Sequence, residues 1–319
     1  MKTPTQPRST VRQPARTSLI DLVVRLLVVM AMLSLLAAAA TAQSPAQRHT
    51  NGIIVLYTDW GTSDFYVGAV KGVALSIFPE ANIVDLTHDV PPFELSMDAV
   101  ELLRVAAREF PSGTVIVGVV DPGVGTERRP IVVHTEDDKF LVGPDNGLFT
   151  PFIQDGVKGI YEITNEAFMR PGERSHTFHG RDIFTPTAAH IAAGRPVQDV
   201  GPEVTDPVLL DIGVARIEDD KLVGEVLIID QYGNLGTNIY RDLITDLGLE
   251  VWDELTVTID DTSFQVPLVY TYGDVPQDDD LVYVSSRDAL SIAVNWGSAE
   301  ARWNAEVGST VIVEKAEGN

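Results

Sequence analysis

From Ile53 to about Pro202 the chain alternates short β-rich runs with stretches of helical period, an arrangement open to few architectures. Ile53-Ile54-Val55-Leu56-Tyr57 reads as a buried strand. Phe65 to Phe78 reads as a helix, with Val67, Val70, Ala74 and Ile77 at spacings of three and four. Asn82 to Leu86 is a further strand, and Ser96 to Phe110 a helix with Val100, Leu103 and Ala107 on one face. Thr114 to Val120 is almost continuously apolar, as expected of a sheet covered on both faces. Strands at Ile131–His134 and Phe140–Val142 precede a tight turn at Asp145-Asn146-Gly147, and Ile183 to Ala193 is a helix stopped by Gly194. The pattern predicts an α/β domain with a mostly parallel sheet flanked by helices, over residues 50–205.

After Pro202 the texture changes. Val223–Ile228, Leu255–Ile259, Leu281–Val284 and Thr310–Glu314 read as strands separated by turns. Leu255, Val257 and Ile259 alternate with Thr256 and Thr258, the period of a half-buried strand. Apart from Asp242–Leu247, helical pattern is nearly absent, so a smaller antiparallel β domain, sandwich or barrel, is expected over 206–319.

The first 42 residues read as a secretory signal peptide outside the fold. Lys2, Arg8, Arg12, Arg16 and Arg25 form a basic leader, an apolar run extends from Leu26 to Ala40, and Ala40-Thr41-Ala42 has the small-residue spacing of a cleavage site. The run is short for a membrane span, although an uncleaved anchor is the alternative reading. The expectation is therefore a secreted or periplasmic protein without stable membrane association after cleavage. Acidic residues number 46 against 23 basic, a net charge of −23, which repels phosphate backbones and argues against nucleic acid as a partner. The chain has no cysteine, which excludes disulfides, zinc thiolate sites and cysteine nucleophiles.

Three polar clusters stand out, two of them following predicted strands, where open α/β sheets collect ligands. They are Thr58–Asp64, Asp121–Arg129 and Phe178–Asp182. Each has a plainer reading. Asp59 and Asp64 would serve as helix caps, and so would Asp182. Gly123-Val124-Gly125 would be a simple turn, since it lacks the third glycine of a dinucleotide fingerprint and the lysine of a P-loop. His176 and His179, three apart, would suggest a metal with Asp121, but no HExxH pattern supports one.

Taken in order, six stretches are specific: TDWGTSDFYVGAVKG (58–72), VVDPGVGTERRPI (119–131), GPDNGL (143–148), FHGRDIF (178–184), IDQYGNLGTNI (229–239) and SSRDALSIAVNWGSA (285–299). They resemble the S-adenosyl-L-methionine (SAM) hydroxide adenosyltransferases, relatives of the fluorinase and chlorinase enzymes, over nearly all of the chain after the leader. The resemblance implies an enzyme that hydrolyses SAM to adenosine and methionine without a cofactor or metal. It also implies a homotrimer holding SAM between the N-terminal domain of one subunit and the C-terminal domain of the next.

Carried over residue by residue, the family's catalytic Asp–Arg–His set falls on Asp121, Arg128 and His179. Arg129 is a rival for the arginine role, although the seven-residue offset from Asp121 favours Arg128. Asp59 matches the carboxylate that grips the ribose hydroxyls, and Asp64 stands with it in the substrate-binding cluster. Phe93 matches an aromatic lining the ribose pocket, and Asp230 a partner for the methionine ammonium. Ser286 and Arg287 match residues that hold the methionine carboxylate. Asn234 matches an adenine-binding amide, with a turn residue as its plainer reading, and Tyr232 and Tyr272 match aromatics stacking on the base. The chemistry suits these types: a sulfonium makes methionine a good leaving group, so the protein must position one water in line with the C–S bond. The residues leave the proton acceptor open between His179 and Asp121. The halogenating relatives carry tyrosine at the position of Asp121 and a halide-binding serine at that of Gly180, so the implied nucleophile is water. The alternatives are an exported adenosine- or SAM-binding protein without catalysis and an adenosyl-halide synthase.

Overall fold

A computed structural model describes residues 50–92 and 95–316. The expected leader, 1–42, and Phe93 lie outside the described residues. The first sheet has six strands: β1 (Ile53–Thr58), β2 (Asn82–Thr87), β3 (Val115–Val119), β4 (Pro130–Thr135), β5 (Phe140–Pro144) and β6 (Val157–Glu162), in the order β2-β1-β3-β5-β4-β6. The pairings β2–β1–β3–β5 are parallel. Those of β4 with β5 and β6 are antiparallel, so the expected mostly parallel sheet is mixed. The reason is local: only a few residues join β4 to β5, with Asp138 at φ 62°, and so short a link can only return the chain antiparallel.

Side chains alternate across this sheet. Ile54, Leu56, Val115 and Val117 face α1 (Tyr66–Ile77), which contributes Val70 and Ala74. Val55, Tyr57 and Ile116 face α2 (Met97–Arg108), which contributes Val100, Leu103 and Ala107. The short α3 (Thr150–Gln154) precedes β6, and α4 (Thr185–Ala192) packs beside α1 with Ala188 and Ile191. Helices therefore cover both faces, and the loops after β1 and β3 open at one edge. The Tyr57 hydroxyl donates to the Ala99 carbonyl at 2.6 Å, tying the end of β1 to α2.

The second sheet comprises β7 (Arg216–Glu218), β8 (Lys221–Ile229), β9 (Leu235–Tyr240), β10 (Glu254–Ile259), β11 (Thr262–Val269), β12 (Asp280–Val284), β13 (Ala289–Val294) and β14 (Thr310–Lys315). A pairing of β14 with β8 closes seven of them into a barrel, with β7 added at β8. All pairings are antiparallel except β11–β12, which are parallel because Tyr270–Asp279 crosses over between them. Short helices α5 (Arg241–Asp246) and α6 (Ala299–Trp303) border the barrel. Among the described residues no helix is long and apolar enough to cross a membrane.

The region around Asp182 differs from the simple capped helix of the sequence reading. A π-helical turn, Gly180–Phe184, precedes α4, and Pro186, which has no N–H to donate, sits in the first turn of α4. Asp182 lies within the π turn and is fully buried. Its Oδ1 accepts from Arg181 Nε at 2.7 Å, and its Oδ2 from Arg181 Nη2 at 2.8 Å and from the Ser175 N–H at 2.7 Å. Burial acts to raise its pKa, yet Arg181 and the Ser175 N–H hold the carboxyl below its usual value. Asp182→Asn would set an amide N–H against one of these donors. Urea unfolding should show a loss of roughly 2–3 kcal/mol at neutral pH; a loss within error would mean that solvent already satisfies the pair.

Candidate active site

The site begins at the open edge of the first sheet. Asp59 follows β1 directly, and Asp121 comes two residues after β3; because these strands are neighbouring and parallel, both carboxylates reach the same edge. Burial lifts the Asp59 carboxyl above its usual pKa; a backbone hydrogen bond opposes that shift and the charge of Asp121 adds to it. The loop under Asp59 is pinned to the end of β2. The Gly61 N–H donates to the His88 carbonyl at 2.7 Å, and Thr58 Oγ1 lies 2.7 Å from His88 Nδ1.

After Asp121 the chain makes two consecutive turns. The Val124 N–H donates to the Asp121 carbonyl at 3.2 Å, and the Thr126 N–H and hydroxyl both donate to the Gly123 carbonyl. Gly125 takes a left-handed φ of 81° against the His176 carbonyl, a conformation that glycine adopts without strain. These turns bring Arg128 back onto Asp121. Arg128 Nε donates to Asp121 Oδ1 at 2.9 Å, and Nη2 donates to Oδ2 in a short contact. The same Nη2 lies 2.9 Å from His179 Nδ1, and the guanidinium carbon stands 5.1 Å from the centre of the Phe184 ring. The side chains of Asp121 and Arg128 are only 6% and 9% exposed.

This geometry fixes a tautomer. A guanidinium only donates, so His179 Nδ1 is an acceptor and the neutral ring carries its hydrogen on Nε2. Protonating Nδ1 would oppose two donors. Burial first, and the Arg128 charge second, accordingly lower the His179 pKa. The adjacent Arg129 turns elsewhere, to Asp145 at 2.8 Å and Asp206 at 2.7 Å. Among the described residues no group of three His, Cys, Asp or Glu is arranged to hold a metal ion. Asp64 is exposed, and its Oδ1 accepts from the Phe65 N–H at 2.6 Å; no side chain caps the start of α1.

The remaining candidates lie on the barrel. Asp230 is exposed and organises the turn between β8 and β9, accepting from the Tyr232 N–H at 2.9 Å, the Asn234 N–H at 3.0 Å and Asn234 Nδ2 at 2.8 Å. Asn234 Nδ2 also donates to the Tyr272 hydroxyl at 3.1 Å, which lies 2.7 Å from the Tyr283 hydroxyl. Asn234 is thus a turn residue that also faces a recess of about 520 Å³. Tyr232, Tyr272, Val294, Asn295, Trp296 and Gly297 line the rest of it. The last four escaped individual notice, although the stretch 285–299 contains them. Arg287 lies over Gly236, where any Cβ would overlap its guanidinium. Its Nη2 donates to Ser291 Oγ at 3.1 Å, its buried Nη1 has no hydrogen-bond partner, and burial lowers its pKa. Ser286 beside it is exposed.

The chain matches the model of the SAM hydroxide adenosyltransferase N-terminal domain over residues 54–201 and that of the C-terminal domain over 224–312. A protein from Salinispora tropica named (R)-S-adenosyl-L-methionine hydrolase is 37% identical over 246 residues, 76% of this chain and 90% of that protein. One of the same name from Thermus thermophilus is 36% identical over 261 residues, covering 77% and 93% of the two chains. A fluorinase from an Actinoplanes species is 30% identical over 295 residues, covering 83% and 98%. The crystal structure of an uncharacterized conserved protein from Thermotoga maritima superposes with a TM-score of 0.79 at 39% identity, over 82% of this chain and all of that one. With both domain models matched in order, and the Asp–Arg–His cluster assembled from two of the shared motifs, the chain belongs to the SAM hydroxide adenosyltransferase family.

Proposed function

We propose that this protein hydrolyses S-adenosyl-L-methionine to adenosine and L-methionine, by in-line attack of water on ribose carbon 5′. The Asp121–Arg128–His179 cluster, on the same sheet edge as Asp59, carries this reading. Water supplies the oxygen, the C5′–S bond breaks with its electron pair to sulfur, and the proton of water passes to a protein group. The leaving thioether needs no acid, so the residues need only bind, orient and exclude solvent. Asp59 accepts from the ribose hydroxyls, with Asp64 on the same loop and Phe93 further along the chain. His179, held as the Nε2–H tautomer, orients the water by donation, which leaves the Asp121 carboxylate as the proton acceptor. Arg128 neutralises Asp121 and keeps His179 neutral.

The methionine end falls to Arg287, whose partnerless Nη1 suits a carboxylate, with Ser286 beside it and Asp230 for the ammonium. Asn234, Tyr232 and Tyr272 take the adenine. No cofactor enters this scheme; SAM is the substrate. The two groups of residues lie on different domains, and each presents uncovered aromatics: Tyr232 is 69% exposed on the barrel and Phe65 61% exposed beside the Asp59 loop. A second copy would cover both, in keeping with the homotrimer with sites shared between subunits that the family resemblance implies. The basic and apolar leader supports export of the enzyme to a secreted or periplasmic location.

In heavy-oxygen water the label should enter the 5′-hydroxyl of adenosine and leave methionine unlabelled; label in methanol or homoserine would exclude attack at carbon 5′. The rate should fall on the acid side, because protonated His179 turns an N–H against Arg128, and the midpoint for kcat should lie below the usual histidine value of about 6.5. Protonation of Asp59, whose pKa is raised, should weaken binding and enter KM instead. His179→Ala should slow turnover on the order of 100-fold and abolish the kcat limb; wild-type turnover would remove His179 from the mechanism. Light scattering of the active protein should give three copies, and a competent monomer would exclude shared sites.

A further inference from the structure

Trp60 has no part in the chemistry above, yet it stands between its two ends. It follows Asp59 in sequence, and its indole covers Gly180, the residue after His179. A Cβ built on Gly180 would stand 2.5 Å from Trp60 Cζ2 and closer still to Cη2, well inside van der Waals contact. The next nearest atom is Phe178 Cε2, at an ordinary 3.5 Å, and the Gly180 backbone lies in the right-handed π turn. The indole, not the backbone, is therefore what keeps a side chain from this position. Trp60 also meets the Phe178 ring edge-on at 5.7 Å and 85°. Both sides of the contact are anchored. His88 holds the Asp59 loop, and the fully buried Asp182 holds the turn that carries His179.

We propose that Trp60 is a positioning residue: seated on the bare backbone of Gly180, its indole sets the separation between the Asp59 carboxylate and the His179 ring. The loops come from residues 120 apart in the chain, and loop backbone is soft, so a rigid ring pressed against backbone is an effective spacer. Displacement of reacting groups by about 1 Å can cost on the order of 100-fold in rate. Because the spacer joins a binding group to a catalytic one, disturbing it should alter KM and kcat together. This rests on the roles given above to Asp59 and His179.

The test is a cycle of Gly180→Ala, Trp60→Leu and the double variant, each checked by circular-dichroism melting to be folded at the assay temperature. With Trp60 in place, Gly180→Ala should lower kcat/KM for SAM on the order of 30-fold, with both constants affected. In the Trp60→Leu background the same change should cost less than about threefold, because the obstacle is gone. Equal losses in both backgrounds, or losses that follow melting temperature alone, would overturn the proposal. Adenosine affinity measured by calorimetry across the same four proteins gives a readout without turnover. If wild-type protein released no adenosine from SAM, the reaction would be wrong, while the coupling would still be decided by adenosine binding.

Discussion

The guanidinium of Arg128 holds the Asp121–Arg128–His179 cluster together. It fills both oxygens of Asp121 and the Nδ1 of His179, with the ring of Phe184 beside it. Both members of the ion pair are nearly out of solvent, where a charge left without a partner is costly, so the three groups stand or fall as a unit. The arrangement also dictates protonation. A group that only donates makes Nδ1 an acceptor, and burial first and the Arg128 charge second lower the histidine pKa and leave the ring neutral, with its hydrogen on Nε2. The two turns after Asp121 are the backbone's contribution: they return Arg128 to Asp121, while Arg129, just before β4, pairs with Asp145 and Asp206.

Around that unit, the loops that carry Asp59 and His179 are held from behind. His88 pins the segment after β1, and the buried Asp182 pins the segment 170–182 through Arg181 and the Ser175 N–H. Each replaces loop freedom with hydrogen bonds. The barrel follows a different rule. There, an absent side chain at Gly236 makes room for the Arg287 guanidinium, which is left with buried donor capacity that a bound anion can satisfy. One domain therefore presents an internally neutralised cluster, and the other a buried guanidinium with donor capacity unused.

Much of this was legible in the chain. Strands β1 and β3 and helices α1 and α2 lie within a residue or two of the spans read from the sequence, because the strands are continuous apolar runs buried on both faces and the helices bury every third and fourth residue. Strands β9 and β13 were not read as strands. β9 carries Gly236, Thr237 and Asn238 among its apolar residues and so does not announce itself by composition, whereas β13 (ALSIAV) is apolar but short and follows directly on the polar stretch around Arg287. The π turn at Gly180 is not legible in the sequence, because its first half is polar and nothing local distinguishes it from an ordinary helix start. The parallel pairing of β11 with β12 depends on a crossover that no short window of sequence records.

By itself the sequence determined what repeats locally or is spelled out in order: the α/β character of the first part, the β character of the second, and the family to which six ordered motifs belong. Burial patterns and turn chemistry act over a few residues, and a linear reading captures them. Only the tertiary structure decided which of two adjacent arginines faces Asp121, which nitrogen of His179 carries hydrogen, and why residue 180 has no side chain. The first depends on how the chain turns within seven residues, and the other two on contact between segments 51 and 120 residues apart, where distance and donor direction rather than residue type make the choice. The seven-residue offset that favoured Arg128 was a hint of such a contact, and the double turn after Asp121 is its physical cause.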